Sequence, residues 1–271
     1  MAVTEETFSI LLSSLCIVTL TIFCAFLRVF KRRFLPSQFQ IFVEELVCTF
    51  QIVAGVKEGD IVLDTGGTWA YFVFIFVLFA SFGLSFEGNG ATCGLWEQLF
   101  FGQISIVKCL IACILQLIGG FIGLVYIKSF WKMIGLGSYH LKMYKHSTED
   151  ICESAMNSTL YEGMVAEFTA TILFSIYSNS LRNLSLISTG KRRAYFDAFV
   201  TSFIVIVGMD YTGMMFNPAL ATALTFNCKG HSVSEHILVY WFAPFLATVV
   251  SCIYFNYQKK QTKEKKAEKK D

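Results

Sequence analysis

Apolar residues come along this chain in long blocks separated by short polar ones, and the block lengths set the expected architecture. Residues 8–27 form an apolar run of the length a helix needs to cross roughly 30 Å of hydrocarbon at about 1.5 Å per residue. Further blocks of spanning length fall at 39–56, 69–86, 104–126, 160–181, 194–208 and 236–257. Two others are too short to cross. Residues 95–101 follow the glycine-broken stretch Glu87-Gly-Asn-Gly-Ala-Thr-Cys-Gly94, and residues 219–226 follow Asp210-Tyr-Thr-Gly-Met-Met-Phe-Asn-Pro218. Each predicts a half-helix whose N-terminus lies at membrane depth. Residues 57–68 are expected to be a short polar loop, and residues 128–159 a long polar connection with at most a short surface helix.

The second short helix has the clearer start. Asn217 is a strong N-cap residue, and Pro218 suits the first helical position, where no amide hydrogen is needed. Ala219 continues the turn. Non-helical backbone inside a membrane is tolerated only where it is buried in protein or lines a watery cavity, so a pore is the natural interpretation. Asn217 would cap its helix through oxygen and offer its amide hydrogens to the cavity, reinforced by the positive end of the helix dipole. Asn-Pro-Ala by itself is also an ordinary helix start. Its position inside an apolar stretch is what gives it meaning.

Composition and charge narrow the picture further. With 271 residues, 55% of them hydrophobic and 15% charged, and a mean hydropathy of +0.57, the chain is too apolar for a soluble domain or a nucleic-acid binder. The basic residues cluster at 28–33, at Arg182 with 191–193, and in seven lysines between 259 and 270. Under the positive-inside rule these groups share the cytoplasmic side, which puts the N-terminus on the lumenal side and the C-terminus in the cytoplasm. After the first helix, each half of the chain holds three spans, an odd number, so the second half is inverted relative to the first. Both halves open with Glu-x-x-x-Thr, at 45–49 and 167–171. Inverted repeats with broken helices bring their half-helix ends together near the bilayer midplane.

The stretch from Asp210 to Ala219 resembles the second pore motif of the aquaporin family, and the resemblance spans roughly residues 39 to 257. It implies an all-α membrane protein: an inverted repeat of 3+3 transmembrane helices with two re-entrant half-helices, here with one extra N-terminal transmembrane helix. It also implies a homotetramer without cofactors, and buried glutamates, Glu45 and Glu167, that hold the pore loops through their backbone amides. Glu44 is more ambiguous. Departures from the family pattern matter as much. Ala91 and Thr92 stand where a first Asn-Pro is expected, and Cys93 after them resembles the intracellular superaquaporin branch. Thr92 is the expected cap of the first half-helix, with Asn89 the alternative. Leu220 stands where water-selective members carry the arginine of their constriction. On the same frame Val205, Met214 and either Tyr71 or Phe72 complete that ring. Such a lining implies passive flow of water and small neutral solutes, glycerol or hydrogen peroxide among them.

The remaining signals are smaller. Domain limits are expected at 1–34 for the N-terminal helix and basic linker, 35–257 for the channel and 258–271 for the lysine-rich tail, with repeats at about 39–127 and 160–257. Membrane lipids are the other expected partner, and the endoplasmic reticulum the expected membrane, on the weak hint of that tail. Most of the nine cysteines fit buried packing roles, but Cys152 and Cys228 fall on one non-cytoplasmic side, which allows a disulfide. Asn157 and Asn183 begin glycosylation sequons, the first almost against a span and the second on the cytoplasmic side. The four histidines lack metal-type spacing and no nucleophile–base pair is evident, so an enzyme is not expected. The rival interpretation is a non-conducting membrane scaffold whose pore has closed.

Overall fold

The computed structural model describes residues 4–134, 138–148, 152–181 and 190–267, so Arg182 and the sequon at Asn183 lie outside the described residues. The fold is all-helical. Its elements are α1 (Glu5–Phe34), α2 (Ser37–Ser85), α3 (Thr92–Phe100), α4 (Ile106–Ile134), α5 (Ser138–Thr148), α6 (Leu160–Leu181), α7 (Lys191–Thr212), α8 (Pro218–Thr225), α9 (Val233–Ile237) and α10 (Ala243–Ala267). Among the described residues, five helices are long and apolar enough to cross a membrane, counting α9 and α10 as one through Gln261. The 22-residue α6 is long enough but too polar for that count, because it buries Glu167 and Asn179.

The expected loop at 57–68 does not exist. Helix α2 runs through it, turning only at Gly67, whose φ of 69° and ψ of −174° are open to glycine alone. The helical stripe persists because Ala54, Glu58, Ile61 and Val62 are all buried on one face, at the spacing of helical turns. The polar member of that stripe conceals it in the sequence. Glu58 is fully buried because Trp131 donates its indole N–H at 2.6 Å and His140 sits at 2.9 Å. These contacts also correct the expectation for 128–159. Helix α4 continues to Ile134, burying Ile127 and Trp131, and α5 places His140 in the interior instead of lying on the surface.

Small residues bring the helices close. A Cβ on Gly119 or Gly123 of α4 would collide with the carbonyl oxygens of Leu46 and Phe50 on α2. Near the C-terminal end, residues Leu238–Phe242 form a π-helical turn between α9 and α10. Pro244 follows at once and can donate no backbone hydrogen bond, so the regular ladder fails there. The wider turn lets the Tyr240 hydroxyl reach the Thr212 carbonyl at 2.8 Å and the Trp241 indole reach the Thr222 hydroxyl at 2.9 Å.

Cys152 and Cys228 form a disulfide. Beside it the chain pairs with itself, Ser154 N–H to the Lys229 carbonyl and Lys229 N–H to the Cys152 carbonyl, each at 2.8 Å.

Candidate pore

The two half-helices meet N-terminus to N-terminus. The Asn217 carboxamide oxygen accepts from the Thr92 N–H at 3.2 Å, and its nitrogen donates to the Gly90 carbonyl at 3.0 Å. This corrects the expected cap. Asn217 occupies the N-cap position of α8, and its backbone carbonyl accepts the Ala221 N–H at 3.0 Å, but its side chain makes no bond to its own helix and gives its oxygen to the opposite one. The reason lies in the first motif. Helix α3 begins at Thr92, with Ala91 as an N-cap that has no side chain to offer, so its free amides need an acceptor from elsewhere.

Thr92 is therefore not the cap either. Its hydroxyl donates to the Gln116 side-chain oxygen at 2.9 Å, and the Gln116 amide donates to Glu45 at 2.7 Å. Asn89, the alternative, sits in the loop instead, accepting from the Gln98 amide at 3.2 Å and donating to Glu45 at 3.0 Å. Gln116 was not foreseen as part of this network. Its signal is a polar residue in the middle of an apolar helix.

Two buried carboxylates hold the loops. Glu45 accepts the backbone N–H groups of Asn89 at 2.8 Å and Gly90 at 3.0 Å. Glu167 accepts the Thr212 hydroxyl at 2.6 Å and the backbone N–H groups of Met215 at 3.0 Å and Phe216 at 2.6 Å. In both Glu-x-x-x-Thr segments the threonine hydroxyl donates back to the glutamate's own carbonyl, Thr49 at 3.0 Å and Thr171 at 2.8 Å. The second loop needs firm support. Gly213, Met214 and Phe216 have φ values of 74°, 46° and 29°, and the left-handed region costs a non-glycine residue roughly 1–2 kcal/mol. Three charge-assisted bonds to one carboxylate offset that strain.

A cavity of about 730 Å³ runs along this junction, from Val56 and Tyr71 past Asn217 to Lys191 and Arg193. Tyr71, Val205, Met214 and Leu220 all line it, whereas Phe72 does not. Phe72 packs edge-on against Phe199 with ring centroids 6.1 Å apart, which leaves Tyr71 as the aromatic member of that group. Asn89, Ala91 and Cys93 also face the cavity, while Thr92, Pro218 and Ala219 are packed behind it. At the basic end Arg193 is tied to Asp197 at 2.7 Å and to the Ser178 hydroxyl at 2.7 Å. Glu97 is a further unforeseen lining residue, accepting from Ser175 at 2.7 Å and from Asn179.

Paired half-helices ending at a cavity inside an all-helical bundle define a membrane channel. The chain matches the family model for major intrinsic proteins over residues 91–255. It belongs to that family, whose members are channels and not enzymes. Relatives in the superaquaporin branch include aquaporin-11 of Milnesium tardigradum, 27% identical over 78% of this chain and 74% of its own. Human aquaporin-11 is 26% identical over 80% and 78%, and mouse aquaporin-12 is 25% identical over 89% and 83%. The solved aquaglyceroporin from Plasmodium falciparum has the same fold, with a TM-score of 0.58 over 79% of this chain and 94% of its own, at 14% identity.

Proposed function

We propose that this aquaporin-family channel passes water together with small neutral solutes, glycerol or hydrogen peroxide, across an intracellular membrane. The observation that carries this is the lining of the cavity at Asn217. Tyr71, Val205, Met214 and Leu220 supply bulk and apolar surface but no fixed positive charge. One of the two Asn217 amide hydrogens is engaged by Gly90, and the other is left for a passing oxygen. A lining with few donors favours larger or less polar neutral molecules, and excludes ions by the cost of dehydrating them.

Within this proposal α1 crosses the membrane with its N-terminus lumenal, residues 35–257 form the channel, and the lysine-rich tail is cytoplasmic. Charge supports the orientation. The basic ends of α1 and α7 and Lys259, whose ammonium lies 4.4 Å from the Phe101 ring, gather on the side opposite the Cys152–Cys228 disulfide. Family resemblance supports a tetramer, and the same orientation puts the disulfide in an oxidising lumen such as that of the endoplasmic reticulum.

Stopped-flow light scattering from proteoliposomes tests the proposal. Water and glycerol fluxes well above those of empty vesicles are expected. Fluxes equal to those of empty vesicles would point to the scaffold instead, for which the missing first asparagine is the favouring observation.

A further inference from the structure

Helix α1 lies outside the region matched by the family model, yet it carries two cations into the interior. Arg28 and Lys31 are 1% and 2% exposed, and both pair with the fully buried Glu44 of α2. Arg28 donates to Glu44 at 2.8 Å and to the Gln51 side-chain oxygen at 2.9 Å. Lys31 also reaches Glu87 at 2.9 Å, and Arg32 reaches the same carboxylate at 2.7 Å.

Glu87 opens the first pore loop. Its backbone N–H donates to Glu44 at 3.2 Å, and the Arg28 guanidinium lies 5.0 Å from the ring of Phe86 beside it. Two adjacent carboxylates therefore hold this loop: Glu44 takes residue 87, and Glu45 takes residues 89 and 90. Both counter-charges of the buried Glu44 come from α1, and the Cys48 thiol also donates to it at 3.1 Å, so the anion depends on α1 for its charge balance. The second loop is held differently, by Glu167 with a hydroxyl and two amides.

We propose that α1 is a working part of the channel and that Arg28 and Lys31 are positioning residues for the first pore loop. Through Glu44 and Glu87 they fix the segment that presents the Gly90 carbonyl and the Thr92 N–H to Asn217. A loop lacking its own asparagine gains from outside the repeat the restraint its sequence has lost. The flux consequence rests on the channel reading above. The positional consequence does not.

The test uses the full chain in proteoliposomes with two independent readouts, amide hydrogen exchange and solute flux. Arg28→Met is expected to speed exchange at residues 86–90 by about tenfold or more, since it leaves Glu44 underpaired. Exchange at residues 213–216 should change far less. Arg28→Lys keeps the charge and should recover most of the protection. Glu87→Gln breaks only the part of the contact open to solvent, so it tests the link even where Arg28→Met fails to fold, with a smaller but loop-specific rise expected. In a conducting protein these variants lower flux per molecule in the same order. Unchanged exchange at 86–90 in folded Arg28→Met and Glu87→Gln overturns the proposal, whatever the flux. A wild-type protein without flux would instead count against the channel reading and leave the exchange result to decide the role of α1.

Discussion

The side-chain oxygen of Asn217 accepts a hydrogen bond from the backbone of Thr92 at 3.2 Å, joining positions 125 residues apart in the sequence. Together with the bond to Gly90 it is the seam between the two halves of the channel. One side chain thus does what two matched motifs would otherwise share.

Replacing that side chain should open the seam. Asn217→Asp turns the donor facing the Gly90 carbonyl into an acceptor, and is expected to lower stability by about 2 kcal/mol or more. Solute flux should fall with it. Thermal unfolding in detergent and vesicle swelling measure the two effects, and a variant matching wild type in both would remove Asn217 from the pore.

Leu220 should set the solute range. Leu220→Arg places a charged, strongly hydrogen-bonding side chain against the cavity, and is expected to cut glycerol flux by roughly tenfold while reducing water flux much less. Glycerol and water permeabilities in the same vesicles give the ratio directly. An unaltered ratio means that the selective ring lies elsewhere.

The Cys152–Cys228 disulfide closes the chain across a separation of 76 residues and ties the segment before α6 to the turn after α8. Cys228→Ser is expected to cost about 2–4 kcal/mol. Reductant should lower the wild-type melting temperature towards that of the variant and leave the variant unmoved. Equal melting of the oxidised wild type and Cys228→Ser would show that the bridge carries no stability.

Acid should weaken the turn that follows α8. Burial pushes the His231 imidazole below its ordinary value, with Glu235 pulling weakly the other way, and its ring faces His236 and Tyr240. The folded state thus prefers the neutral ring. Its contribution is fully present above the unfolded value of about 6.5 and declines as pH falls below it. Melting at pH 7.5 and 5.5 should separate wild type from His231→Asn, with the larger acid loss in wild type. A parallel loss in both would assign the acid sensitivity to other groups.

Polar residues decided where the sequence could be followed and where it could not. The half-helix at 218–225 is announced by Pro218, which suits a first helical position, and by the short apolar run after it, because a helix start of that kind is settled by a few neighbouring residues. The continuation of α2 through 57–68 is hidden, because Glu58 resembles a surface residue until Trp131 and His140 are beside it. Glu44 is hidden in the same way. Its role depends on Arg28, Lys31 and Glu87, which lie in a different helix and a loop.

Sequence alone determined the apolar blocks, the two short helices, the matched glutamates and the basic clusters, since each follows from the length, period or charge of a continuous segment. Tertiary structure decided which partner each buried polar group takes. It turned Asn217 from a cap into a bridge, chose Tyr71 over Phe72, brought Gln116 to Thr92 and Glu45, and joined α1 to the first loop. A buried donor or acceptor must be satisfied by whatever lies within about 3 Å of it, and that neighbour is set by how helices pack, not by position along the chain.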